Sequence, residues 1–135
     1  MLDVLHGLLW VVLGSALGGP ARFFVSGLIG RRVGETFPWG TMVVNVSGAS
    51  AIGFVAAASA AGGAFALPEA WQFAVTGFLG AYTTVSSFSL HTLTLARDGQ
   101  MLRAGGNVLL SVTLCLAGAA IGFAAGAAIF GAAIS

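Results

Sequence analysis

Four stretches of the chain, at about residues 5–29, 39–61, 68–95 and 102–134, run almost free of charge and end at arginines, acids or prolines. A helix needs about 20 mostly apolar residues to cross the hydrocarbon of a bilayer, and each stretch is that long. In lipid every backbone N–H and C=O must find its partner inside the protein, which leaves helices and closed barrels as spanning elements. Barrel strands are short and alternate apolar with polar residues, whereas these stretches are long and apolar on both faces. The sequence therefore predicts an all-α integral membrane protein, four transmembrane helices in one domain over residues 1–135. Composition agrees, since 7% of residues are charged against roughly 25% in soluble domains, and the mean hydropathy is +1.00. The first stretch opens with Asp3 instead of a basic n-region, so it is expected to remain as a span and not to be cleaved as a signal.

Charge placement suggests an orientation. Arg31 and Arg32 follow the first stretch, and Arg97 and Arg103 lie between the third and fourth, so four spans put both loops on one side. The termini and the middle loop carry no Arg or Lys, and the positive-inside rule then assigns the arginine loops to the cytoplasm. Trp10, Trp39 and Trp71 read as interfacial anchors. Without a basic stripe there is no nucleic-acid surface, and the lone Cys115 cannot form an intrachain disulfide. Small residues at Gly14-x-x-x-Gly18, Ser15-x-x-x-Gly19 and Gly118-x-x-x-Gly122-x-x-x-Gly126 line single helix faces that allow close backbone approach. Such faces serve packing within one subunit or an interface between subunits; the small size of a four-helix bundle favours an oligomer.

Polar groups inside the apolar stretches need a partner or a task. Arg22 lies late in the first stretch, either snorkelling to the headgroups or standing as a fixed positive charge that gathers anions in a wet vestibule. Asn45 is near the middle of the second, where its amide fixes packing through an interhelical hydrogen bond or donates to an anion without trapping it. The third stretch holds Thr83, Thr84, Ser86, Ser87 and Ser89, five hydroxyls in seven residues. Gly77 and Gly80 just before them weaken the helix, and a helix interrupted at the midplane frees backbone groups that coordinate ions; back-bonding to helix carbonyls is the plainer reading. In the fourth stretch Ser111 and Cys115 share a face at i, i+4. His6 and His91 lie toward span ends and read as interfacial polar residues. No stretch has a central Asp or Glu, and the chain has no catalytic triad, paired carboxylates, phosphate loop or metal-ligand spacing, so an enzyme is not expected. What remains is a path of neutral donors, one arginine and broken backbone. That chemistry suits a small anion, whose hydration shell such donors replace.

Three texts stand in a fixed order: Gly18-Gly19-Pro20-Ala21-Arg22-Phe23, then Gly40-Thr41-x-x-x-Asn45-x-x-Gly48, then Gly77-Phe78-Leu79-Gly80-Ala81-Tyr82-Thr83-Thr84-x-Ser86-x-Phe88-Ser89. In this order and spacing, over nearly the whole chain, they resemble the Fluc (CrcB) family of fluoride channels. The resemblance implies an antiparallel, dual-topology dimer with two fluoride pores at its interface, made with a second copy of the chain or a homologous subunit. It implies a third helix broken near its middle and a structural sodium ion (Na+) at the dimer centre, held by the main-chain carbonyls of Gly80 and Thr83. It assigns pore or anion-contact roles to Asn45, Phe88, Thr84, Ser86, Ser87 and Ser111, with Cys115 beside Ser111, and a vestibule role to Arg22. The implied function is passive export of fluoride across the inner (plasma) membrane, conferring fluoride resistance; an inside-negative potential drives an anion outward by about 2.3 kcal/mol per 100 mV.

Two features depart from the family pattern. Val85 occupies the place of the first of two phenylalanines, Phe88 matching the second, and a ring edge lost there alters how an anion is met. The loop arginines lie on one side only, whereas a chain that inserts both ways round should show little bias. The alternative is a fixed-topology subunit of a heterodimeric fluoride channel. A small multidrug-type exporter needs a membrane-embedded carboxylate, which the chain lacks.

Overall fold

The computed structural model describes residues 1–131. The last residues of the expected fourth span, 132–134, lie outside them. Three long helices dominate: α1 (Leu2–Val33), α2 (Trp39–Ala60) and a last one reached below. After α2, a 3-10 turn (Ala64–Ala66) leads to α3 (Pro68–Trp71). This helix continues without interruption through a π-helical stretch (Gln72–Leu79) into α4 (Gly80–Tyr82). Two extended residues, Thr83 and Thr84, separate α4 from α5 (Val85–Arg97). The chain then enters α6 (Met101–Phe130), and no strand occurs among the described residues.

α1, α2 and α6 are each long and apolar enough to cross a membrane. The third expected span is divided at Thr83–Thr84. The 13 residues of α5 rise only about 20 Å, short of a hydrocarbon core of about 30 Å. The division falls later than Gly77 and Gly80 alone suggest. Gly77 is spent on contact with α1, where a Cβ would press on the Val11 carbonyl oxygen at 2.6 Å, and Gly80 still lies in helix.

Helix ends follow local chemistry. Pro68 starts α3, where a missing N–H costs nothing. α2 and α5 end in matched Schellman turns at Gly62 and Gly99, with φ of 74° and 75°. Their six-to-one bonds run from Gly63 N–H to Ala58 O at 3.2 Å and from Gln100 N–H to Leu95 O at 2.9 Å.

Two glycine faces set the packing. Side chains at Gly53 and Gly122 would collide with the Ala119 and Ser50 carbonyl oxygens, so α2 and α6 meet backbone to backbone. Gly14 and Gly18 likewise meet the backbone at Phe73 and Phe78 of the π-helical stretch, where the Ser15 hydroxyl donates to Gly77 O at 3.3 Å. The Gly14, Gly18, Gly118, Gly122 and Gly126 faces pack within the chain, whereas Gly19 meets nothing within 4 Å. Large apolar side chains such as Leu17, Leu109, Leu116 and Ile121 point outward, as a lipid-facing surface requires.

Candidate functional site at the helix break

The break is held by one side chain from another helix. Thr83 adopts φ −78°, ψ 159° and Thr84 φ −152°, ψ 118°, both extended. Thr83 N–H closes the last turn of α4 on Leu79 O at 3.0 Å, and its hydroxyl donates to the same oxygen at 2.9 Å. Thr84 N–H then leaves the helical pattern and donates to Asn45 Oδ1 at 2.7 Å, while Asn45 Nδ2 donates to Thr84 O at 2.8 Å. Asn45 thus grips both polar groups of one residue, as a neighbouring peptide does in a sheet. Thr84 is 8% exposed, and each buried backbone group left unpaired costs about 1–3 kcal/mol. Gly48, one turn beyond Asn45 on α2, receives the Thr83 methyl group at a point where any side chain would collide.

The same two residues release carbonyls. In a continuous helix Thr84 N–H would bond Gly80 O and Ser87 N–H would bond Thr83 O. Here the first goes to Asn45, and the second goes to Thr84 Oγ1 at 3.1 Å, an N-cap on α5. Gly80 and Thr83 carbonyls therefore lose their helical donors, and both residues border an open groove. Oxygen ligands of this kind suit a hard cation such as Na+. Among the described residues no group of three His, Cys, Asp or Glu is arranged to hold a metal.

Hydroxyl protons are directed from the break. Thr84 Oγ1 donates to Ser87 Oγ at 3.1 Å and lies 3.1 Å from the exposed Ser86 hydroxyl. Ser87 accepts at that contact, so its own proton is available to the space beyond. A second chain ties α5 to α6. Thr92 Oγ1 donates to Phe88 O at 2.8 Å, so it must accept from Asn107 Nδ2 at 2.8 Å. That fixes the amide orientation, and Ser111 Oγ donates to Asn107 Oδ1 at 3.4 Å. Asn107 is 2% exposed and was not among the residues the sequence pointed to. Its signal was present: a lone amide in an apolar run, four residues before Ser111 on the same face.

Two cavities flank the break. The first is a largely apolar groove of about 430 Å³ on the outer face of α2, α5 and α6, bordered by Asn45, Gly80, Thr83, Val85, Phe88, Ser111 and Cys115. Val85 is 77% exposed there. The second is a polar cleft of about 600 Å³ at the arginine-loop end, bordered by Thr41, Ser87, His91, Thr94, Asp98, Arg103 and Glu35. Asn45 borders the groove and Ser87 the cleft, and both bond Thr84 between them. His91 Nδ1 lies 3.2 Å from the buried Thr41 hydroxyl. His6 pairs with Trp10 at 3.3 Å at an exposed site. The structure thus brings Asn45, Thr83, Thr84, Val85, Ser86, Ser87, Phe88 and Ser111 together around one discontinuity. Arg22, half-buried on α1, borders neither cavity.

Residues 9–123 match the family model described as CrcB-like protein, Camphor Resistance (CrcB). Among similar proteins, the "Fluoride-specific ion channel FluC 2" of Rhodopseudomonas palustris is 60% identical over 126 residues, 93% of this chain and 96% of the relative. The "Fluoride-specific ion channel FluC 2" of Bradyrhizobium diazoefficiens is 62% identical over 121 residues, 89% of this chain and 88% of the relative. The "Fluoride-specific ion channel FluC" of Methylocella silvestris is 51% identical over 109 residues, 80% and 83% of the two chains.

Proposed function

The chain belongs to the Fluc/CrcB family, and from that premise we propose that it is a fluoride-selective passive channel working as a dimer. The observation that carries this reading is the Asn45 grip on Thr84, which keeps a helix open inside an apolar bundle and surrounds the gap with neutral donors. An anion that gives up water needs donors in exchange, and it must also leave; hydroxyls and an amide meet both needs better than a buried cation. Phe88 and Val85 supply the apolar walls of the groove. The path runs from the polar cleft, past the free Ser87 proton, to the groove on the other side of Thr84.

The groove is open on the surface of a single chain, so its second wall comes from a partner. Two antiparallel copies would close it and give two equivalent pores. They would also bring four main-chain carbonyls together, Gly80 and Thr83 from each chain, where a sodium ion would hold the breaks in place. The membrane is the inner (plasma) membrane, and the driving force is the fluoride gradient with the potential. A second reading, a fixed-topology subunit that conducts with a homologous partner, is favoured by the one-sided arginines Arg31, Arg32, Arg97 and Arg103. Reconstitution in liposomes tests both. Rapid fluoride efflux with chloride retained supports the homodimer, and efflux that requires an added homologous subunit supports the second reading. Fluoride retained under both conditions removes the proposal.

A further inference from the structure

Between the start of the third span and its break lie eight residues wound more loosely than an α-helix, Gln72–Leu79. Their contact with α1 uses that winding. A Cβ on Gly14 would collide with the Phe73 carbonyl oxygen and lie 2.7 Å from the Phe78 nitrogen, and a Cβ on Gly18 would collide with the Phe78 carbonyl oxygen. On an α-helix, at 3.6 residues per turn, positions five apart such as Phe73 and Phe78 point about 140° away from each other. A single face of α1 would then meet one of them and not both. Turns closed by i→i+5 bonds bring them to one side. The loose winding ends at Gly80, whose N–H is shared between Gly77 O and Val75 O and passes over Thr76 O, its α-helical partner. At this junction a side chain reaches in from α1: the Ser15 hydroxyl donates to Gly77 O at 3.3 Å.

Only α4, three residues long, separates the junction from Thr83 and Thr84. We propose that Ser15 is a positioning residue for the break: its hydroxyl holds Gly77 O in the wide register, and that register aims Thr84 at Asn45. If Gly80 N–H returned to Thr76 O, the turn would close on one residue fewer. α4 would then swing by about one residue's rotation, about 100°. Thr84 would lose both bonds that Asn45 makes with it, at 2.7 Å to its N–H and 2.8 Å to its C=O. Asn45 and Ser15 thus act on the break from two sides: one holds Thr84 itself, the other holds the helix that delivers it. Ser15 borders neither cavity, so it acts through Gly77 and not by meeting an ion. What this role means for flux rests on the channel reading; what it means for Thr84 does not.

Ser15→Thr and Ser15→Val have nearly the same shape and differ in the hydroxyl, so packing against the third span is matched between them. In lipid nanodiscs, hydrogen exchange followed by NMR reads how often each backbone N–H is released. The Thr84 N–H should exchange about fivefold faster in Ser15→Val than in Ser15→Thr, the change in population that one hydrogen bond is worth. The Val44 N–H, in the unbroken α2 next to Asn45, should exchange at the same rate in both. Equal exchange of Thr84 in the two variants would overturn the proposal. So would an equal rise at Thr84 and Val44, because a general loss of packing frees both. Should either variant fail to fold, Ser15→Ala against wild type decides by the same two amides. The expected exchange, with no fluoride efflux from liposomes of the wild type, would instead overturn the channel reading and leave the positioning role standing.

Discussion

Along the α2–α6 seam, Gly53 and Gly122 bring two unbroken helices into backbone contact. At the break, Gly48 also admits a close neighbour, but what it admits is the Thr83 side chain of a helix that has stopped. In the first region each helix satisfies its own amides and carbonyls, and glycine serves only to bring surfaces together. In the second, glycine makes room, and a side chain from α2 takes over the hydrogen bonds that the helix has given up. Membrane helices are bound to satisfy their backbones internally; a discontinuity therefore survives only where another helix supplies a donor and an acceptor together. Asn45 is such a supply.

Substitutions at the two regions should fail in different ways. Gly122→Leu drives a side chain into the Ser50 carbonyl and should have the largest effect, loss of folded protein in detergent as seen by size-exclusion chromatography. Folded Gly122→Leu with normal mobility would mean that the seam has room for a side chain. Asn45→Ala orphans two buried backbone groups at about 1–3 kcal/mol each. It should lower the thermal midpoint while leaving an assembled, helical protein. Asn107→Ala removes the acceptor of Ser111 and the donor to Thr92. At about 1 kcal/mol net per hydrogen bond, it should cost less stability than Asn45→Ala; an equal loss would place the weight of the bundle on the α5–α6 tie instead. Arg22→Ala should have the smallest effect, a fall in fluoride flux seen mainly at low ionic strength, because salt screens a charge outside the path. The same fractional loss at every salt concentration would indicate a packing role.

The sequence pointed to these regions with unequal clarity. The seam is legible as Gly118-x-x-x-Gly122-x-x-x-Gly126, because a four-residue period on a helix puts small residues on one face. The break is half legible. The hydroxyl run from Thr83 to Ser89 marks the segment, but the glycines before it suggest an earlier interruption than the one at Thr83–Thr84. The π-helical stretch from Gln72 to Leu79, which packs against α1 at Gly14 and Gly18, has no sequence mark. The pairing of Asn45 with Thr84 joins residues 39 positions apart, and nothing local encodes it. Asn107 shows a different gap: Ser111 shares its face with Cys115 one turn later and with the amide one turn earlier, and it is the amide that takes its proton. Thr41 and His91 likewise meet only because α2 and α5 enclose one cleft.

The most direct measurement compares initial fluoride efflux from liposomes carrying wild-type chain or Asn45→Ala at equal protein content, with chloride efflux recorded in parallel. If the grip on Thr84 holds the conduction path open, wild type should empty its vesicles of fluoride and keep chloride. Asn45→Ala should lose most of its fluoride flux while still assembling. Equal fluoride flux from the two proteins would contradict the claim that this one amide keeps the break in working form.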